Sequence, residues 1–83
     1  MKLATLRSDL RAYLRERRLV GKWNKSKELF ERDIRYPSLH VELLEPRWYG
    51  IYSFRLDRKY RALFFIDKNG QAEVFAITNH YKK

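Results

Sequence analysis

Five side chains in this sequence are of types that could carry out one reaction together: Glu42, Arg55, Arg61, His80 and Tyr81. A carboxylate and an imidazole can divide the two proton transfers of RNA cleavage. One takes the proton from a ribose 2′-OH, the other protonates the departing 5′ oxygen, and cations stabilise the negative charge that grows on the phosphorus between them. Such a set is chemically sufficient without a metal or any other cofactor. The sequence contains no Gly-rich phosphate loop, no Ser/His/Asp arrangement and no zinc-type spacing. It has no cysteine, which excludes disulfides, thiolate catalysis and cysteine zinc sites, and its two histidines, His40 and His80, are too few for a convincing metal site.

These residues can act together only if a sheet aligns them. The stretch 50–83 reads as three antiparallel strands. Successive side chains of a strand leave on opposite faces, so Tyr52, Phe54 and Leu56 point one way and Ile51, Ser53 and Arg55 the other. Tyr60, Ala62, Phe64 and Ile66 share a face, which leaves Arg61, Leu63 and Phe65 opposite. A three-residue loop, Asp57-Arg58-Lys59, sets Arg55 opposite Arg61 and Phe54 opposite Ala62, gathering the apolar residues on one side. Asn69-Gly70 predicts a type I′ hairpin turn that pairs Phe64 with Phe75, Ala62 with Ile77 and Arg61 with Thr78. His80 then continues the face of Val74, Ala76 and Thr78, the face of Arg61. Two arginines directly opposite repel by roughly 0.2 to 1 kcal/mol, a strain that an anion would relieve. The plainer alternative is a pair of solvated surface arginines, balanced by Glu42 or Glu45.

The segment before the sheet is expected to cover its apolar side. Met1 to Thr5 is compatible with a short strand or a frayed helix start. From Ser8, a candidate N-cap, Leu6, Leu10, Tyr13 and Leu14 recur at helical spacing, with the Arg15-Glu16-Arg17-Arg18 cluster on a solvated face. Gly21 marks the break. A second helix runs from about Lys22 to Arg35 with Trp23, Ser26, Phe30 and Ile34, and Leu29 beside them, as its buried stripe; Tyr36 ends it ahead of Pro37. Residues 39–48 link helices to sheet, Pro46 argues against a central strand there, and Glu42 falls in a loop at the sheet's edge. The predicted fold is α+β: an N-terminal helical hairpin packed on one face of a three- to four-stranded, mainly antiparallel sheet, with residues 1–83 as a single domain.

Composition bounds the partners. Hydrophobic residues make up 45% of the 83, enough for a real core, while 19 Lys and Arg against 10 Asp and Glu leave a net charge of +9. That excess favours a polyanionic partner: nucleic acid, a ribosome surface or an acidic protein. No apolar run approaches the ~20 residues of a membrane helix, and no signal-peptide h-region opens the chain, so a cytoplasmic protein with no membrane partner is expected.

Several motifs then carry a resemblance. Tyr36-Pro37-Ser38-Leu39, the run Gly50-Ile51-Tyr52-Ser53-Phe54-Arg55, the run Tyr60-Arg61-Ala62-Leu63-Phe64 and the terminal Asn79-His80-Tyr81 follow the helical hairpin in order. Over nearly its whole length the chain resembles the RelE/ParE-superfamily toxins, closest to the YoeB-like branch. In that branch a glutamate lies eight residues before the glycine that opens the sheet, an arginine lies in the next strand, and a His-Tyr pair ends the chain; here these positions hold Glu42, Arg61, His80 and Tyr81. The resemblance implies a RelE-like fold and a type II toxin that cleaves mRNA in the ribosomal A site, with an acidic protein antitoxin as inhibitor. It implies Glu42 as acceptor of the 2′-OH proton, Arg61 as the phosphate cation assisted by Arg55, His80 as the acid and Tyr81 as the residue that stacks on or orients the nucleotide. Arg55, Arg58, Lys59, Lys82 and Lys83 would bind RNA phosphates. The superfamily also contains ParE-like members that inhibit DNA gyrase, and a catalytically silent RNA- or ribosome-binding module is the third reading.

Overall fold

A computed structural model describes residues 1–79. Helix α1 (Ser8–Glu16) and helix α2 (Val20–Arg32) precede strands β1 (Glu42–Leu43), β2 (Tyr52–Arg55), β3 (Arg61–Ile66) and β4 (Ala72–Thr78). The strands form one antiparallel sheet in the order β1-β2-β3-β4. Both helices pack on the same face, giving the expected two-layer α+β arrangement. The fourth strand comes from the segment expected as a loop: Glu42 pairs with Ser53 and Leu43 with Tyr52. Pro46 follows this strand closely, and β1 is accordingly short and at the edge.

The break between the helices is made by Arg18 and Leu19, not by Gly21, which lies inside the first turn of α2. Arg18 takes a left-handed conformation at φ 58. Its N–H bonds the Arg15 carbonyl while the Leu19 N–H reaches back to Leu14 at 2.8 Å. This is the Schellman arrangement, completed by contact between two leucines, 14 and 19, that are both in the core. Burial of Leu19 therefore compensates for the absence of glycine at the turn. Arg7, not Ser8, is the N-cap of α1, and no side chain caps it. Helix α2 stops at Arg32, short of the expected end, because Asp33 is extended and its carboxylate accepts the Arg35 N–H at 2.9 Å. Ile34 and Tyr36 still pack against the core, from the loop.

The β2–β3 register is as expected, with Phe54 opposite Ala62 and Arg55 opposite Arg61. The β3–β4 register holds at Ala62 with Ile77 and Arg61 with Thr78, but Phe64 pairs with Val74 and not with Phe75. The cause is the turn. Only Gly70 has positive φ, at 81, and the outermost bonds run from Asp67 N–H to Gln71 O and from Gly70 N–H to Asp67 O. The loop is thus a three-residue one, with glycine in the left-handed position, rather than type I′. The Asp67 carboxylate secures it by accepting the N–H groups of Asn69 and Gln71. The resulting one-residue offset is absorbed by a bulge at Phe75, where the register shifts between Leu63 and Phe64. The Phe75 carbonyl accepts a bond from the Arg7 guanidinium at 3.2 Å. Because of the bulge Val74 joins the core face, 4% exposed, while Ala76 and Thr78 share the face of Arg61. The expected placement of Val74 on that face is therefore corrected.

Between the layers, Phe30 and Phe54 are completely buried with ring centroids 5.0 Å apart, and Phe64 meets Phe30 edge-on at 5.2 Å. Trp23 closes the cluster 5.9 Å from Phe54. The N-terminal segment is not a frayed helix: Leu3 bridges Ala72 in parallel, with Ala4 N–H on Ala72 O and Ala72 N–H on Lys2 O. Among the described residues no helix is long and apolar enough to cross a membrane.

The β2–β3 loop is organised by Asp57, whose carboxylate accepts the N–H groups of Lys59 and Tyr60 and the Lys22 ammonium at 2.7 Å. Burial alone would raise the pKa of this carboxyl, but the Lys22 bond and the two amide bonds outweigh it and hold the pKa below the ordinary aspartate value. A depressed folded-state pKa stabilises the fold at pH above the unfolded value of about 3.9, and that contribution is lost as pH falls through the lower, folded value. Asp57→Asn should accordingly lower the thermal midpoint by a constant amount between pH 5 and 7. The gap to the unaltered protein should narrow below about pH 4, where both chains approach the same charge state. A gap that does not change with pH would show that the Asp57 charge contributes nothing.

Candidate active site

The outward face of the sheet brings the charged residues together because three strands contribute to it in register. Glu42 stands opposite Ser53, and Ser53 opposite Leu63; the neighbouring row holds Arg55, Arg61 and Thr78. A pocket of about 290 Å³ opens over this face, lined by His40, Glu42, Arg55, Asp57, Arg58, Lys59 and Arg61. Of the nine site residues expected from sequence, five are thus gathered: Glu42, Arg55, Arg58, Lys59 and Arg61. His80, Tyr81, Lys82 and Lys83 lie outside the described residues.

Arg61 is not the solvated surface arginine that one reading of the sequence offered. It is 5% exposed, and its side chain is clamped. The Nε and Nη2 groups donate to Ser53 Oγ at 3.0 and 2.9 Å, and Nη2 also donates to the backbone carbonyl of His40. That carbonyl is aimed inward by local backbone geometry. The short 3-10 turn Pro37–Leu39 buries Leu39, and His40 then takes a left-handed conformation at φ 46 and ψ 54 before the chain enters β1. Burial pushes the Arg61 guanidinium down from its ordinary pKa; Glu42 opposes that shift and Arg55 adds to it. An arginine so placed keeps its charge at neutral pH, because a guanidinium does not give up its proton in proteins.

Glu42, half-buried, supplies the carboxylate that Coulombically supports Arg61. The four cations of the pocket face two carboxylates, Glu42 and Asp57, and Asp57 is already engaged by Lys22. The pocket is therefore net positive around one buried cation, which suits a tetrahedral oxyanion such as a phosphodiester. Among the described residues no group of three His, Cys, Asp or Glu side chains gathers as a metal site would require.

Sequence reasoning missed Ser53 and the His40 carbonyl, which hold Arg61 among the described residues. A hydroxyl alternating with Arg55 on a charged strand face is a weak signal for the first. No signal exists for the second, since the carbonyl is delivered by a left-handed residue 21 positions away in the chain.

No protein-family model and no curated protein matches the chain. Solved structures do match it. A YoeB/ParE toxin from Agrobacterium tumefaciens is similar with a TM-score of 0.70 at 25% identity, over 98% of this chain and 100% of its own. A YoeB from Staphylococcus aureus, solved as a dimer, has the same fold with a TM-score of 0.63 at 19% identity, over 96% of this chain and 94% of its own.

Proposed function

This chain belongs to the RelE/ParE superfamily of toxins, among YoeB-like structures, and we propose that it is a metal-independent endoribonuclease that cleaves mRNA in the ribosomal A site. The observation that carries this reading is Arg61, buried and clamped by Ser53 and the His40 carbonyl beside Glu42 in a basic pocket. A cation held in this way has little freedom to reorganise when charge develops, which is what transition-state stabilisation demands. The scissile phosphate sits against Arg61 with Arg55 assisting, and Arg58, Lys59, Lys82 and Lys83 hold neighbouring phosphates.

Glu42 takes the proton from the 2′-OH, O2′ attacks phosphorus, and the P–O5′ bond breaks as His80 protonates the leaving oxygen. An imidazole, with a reference pKa of about 6.5, can supply that proton near neutral pH. Tyr81 stacks on or orients the nucleotide. The products are a 2′,3′-cyclic phosphate, or the 3′-phosphate formed from it by hydrolysis, and a 5′-hydroxyl. The inhibitor of the toxin is an acidic protein antitoxin.

The test is single-turnover cleavage of a programmed ribosome, with and without EDTA, followed by end-group analysis of the fragments. Cyclic or 3′-phosphate ends, unaffected by EDTA, are expected. His80→Ala should slow cleavage by about 10²- to 10⁴-fold, the usual contribution of a general acid. Fragments that end in a 3′-hydroxyl, or undiminished cleavage by His80→Ala, would overturn the assignment. Inhibition of DNA gyrase without any RNA cleavage would favour the ParE-like reading in its place.

A further inference from the structure

A second pocket, of about 350 Å³, adjoins the first and shares Arg55, Asp57 and Arg58 with it. It lies between α2 and the β2–β3 loop. Its apolar lining comes from Leu29, Leu39 and Leu56, and its basic lining from Lys22, Lys25, Arg55 and Arg58. The one carboxylate in it, Asp57, is neutralised by Lys22 at 2.7 Å and by two backbone amides. Four cations against one carboxylate leave a strongly positive slot with an apolar wall. This is the combination that single-stranded RNA uses: an apolar surface for base or ribose and cations for the phosphate. An acidic protein segment could also answer the charge. The two shared arginines favour RNA, because they join the slot directly to the pocket assigned to the scissile phosphate.

We infer that this second pocket is a nucleotide subsite that holds the RNA residue flanking the scissile phosphate, with Lys25 and Arg58 on its phosphate. The inference rests on the endonuclease reading of the Arg61 pocket and extends the RNA path onto α2, where nothing in the catalytic set reaches. Lys25 is the residue to test, since it is exposed on α2 and lines the second pocket but not the first.

The experiment measures binding of fully 2′-O-methylated oligoribonucleotides, which lack the attacking hydroxyl, by fluorescence anisotropy over a range of KCl concentrations. A dinucleotide and a hexanucleotide are compared for the unaltered protein and for Lys25→Gln, with thermal midpoints as a check on folding. Lys25→Gln should weaken the hexanucleotide about two- to fivefold and reduce the slope of log affinity against log salt by about 0.7, the loss of one single-strand phosphate contact. Dinucleotide affinity should not change.

Equal effects on both lengths, no effect on either, or no measurable RNA binding would overturn the subsite. So would a Lys25→Gln defect confined to an oligoglutamate peptide, which would make the slot a seat for an acidic protein segment. Cleavage of programmed ribosomes is assayed in parallel. Length-dependent, Lys25-dependent binding without cleavage supports RNA in the second pocket but removes the endonuclease reading, and with it the pocket's place beside a scissile phosphate, whereas cleavage with no Lys25 effect keeps the endonuclease reading and overturns the subsite.

Discussion

Arg61→Lys is expected to slow cleavage of mRNA on programmed ribosomes by about 10²- to 10³-fold although the formal charge is kept. The guanidinium presents several N–H donors in a rigid fork, and this one uses them on Ser53 Oγ and on the His40 carbonyl. A lysine ammonium is a single point on a flexible stem and cannot reproduce those bonds while also meeting a phosphate. It is also more easily deprotonated when buried, so part of the charge itself is lost. Arg61→Ala should be more severe but less informative. It takes the donor away from the buried Ser53 hydroxyl, at about 1 to 3 kcal/mol for a buried group left unsatisfied, and from the part-buried His40 carbonyl, and so confounds activity with folding. The measurement is the single-turnover rate at saturating ribosomes with the thermal midpoint recorded alongside. A near-normal rate for a folded Arg61→Lys protein would show that Arg61 braces the sheet and does no chemistry.

The largest effect on stability belongs to Phe54. Its side chain is completely buried, with Trp23, Phe30 and Phe64 at ring-centroid distances of 5.9, 5.0 and 5.8 Å. Removing such a ring costs about 3 to 5 kcal/mol from lost transfer energy and the cavity left behind. A small domain has only about 5 to 15 kcal/mol in total, so Phe54→Ala should be largely unfolded well below the melting temperature of the unaltered chain. Trp48 provides the contrast, since it is 84% exposed and its replacement by alanine should change stability by no more than about 0.5 kcal/mol. Chemical denaturation of the two variants checks both. A Phe54→Ala midpoint no lower than that of Trp48→Ala would refute the placement of the core.

What could be read from the sequence was what depends on alternation and local periodicity. Arg55 opposite Arg61 followed from gathering Phe54 and Ala62 on one face, and the helix stripes of Leu10 and Leu14, then Trp23 and Phe30, followed from their spacing. What could not be read depends on backbone conformations that no residue type dictates. Arg18 and His40 are left-handed without being glycine, so the helix break was expected at Gly21 and the Arg61 clamp was not foreseen. Asn69-Gly70 has the composition of a two-residue turn, yet Asp67 captures the loop amides and enlarges it. Glu42 was expected in a loop because Pro46 argues against a central strand there, whereas β1 is a two-residue edge strand, a place where a nearby proline is tolerated.

The bulge at Phe75 gives β4 a point of adjustable length. The pairs on its turn side and those on its far side each follow a regular ladder, and Phe75 belongs to neither. Deleting Phe75 would leave Phe64 with Val74, Leu63 with Ala76, Ala62 with Ile77 and Arg61 with Thr78, and would remove only the packing of its ring on Phe65 and the carbonyl that Arg7 holds. Deleting Ala76 or Ile77 instead, with the bulge kept, would slide every later residue by one place, so that Thr78 came to lie opposite Ala62 on the core face instead of beside Arg61. Between Val74 and Thr78, position 75 is therefore where one residue can be lost without changing what stands beside Arg61.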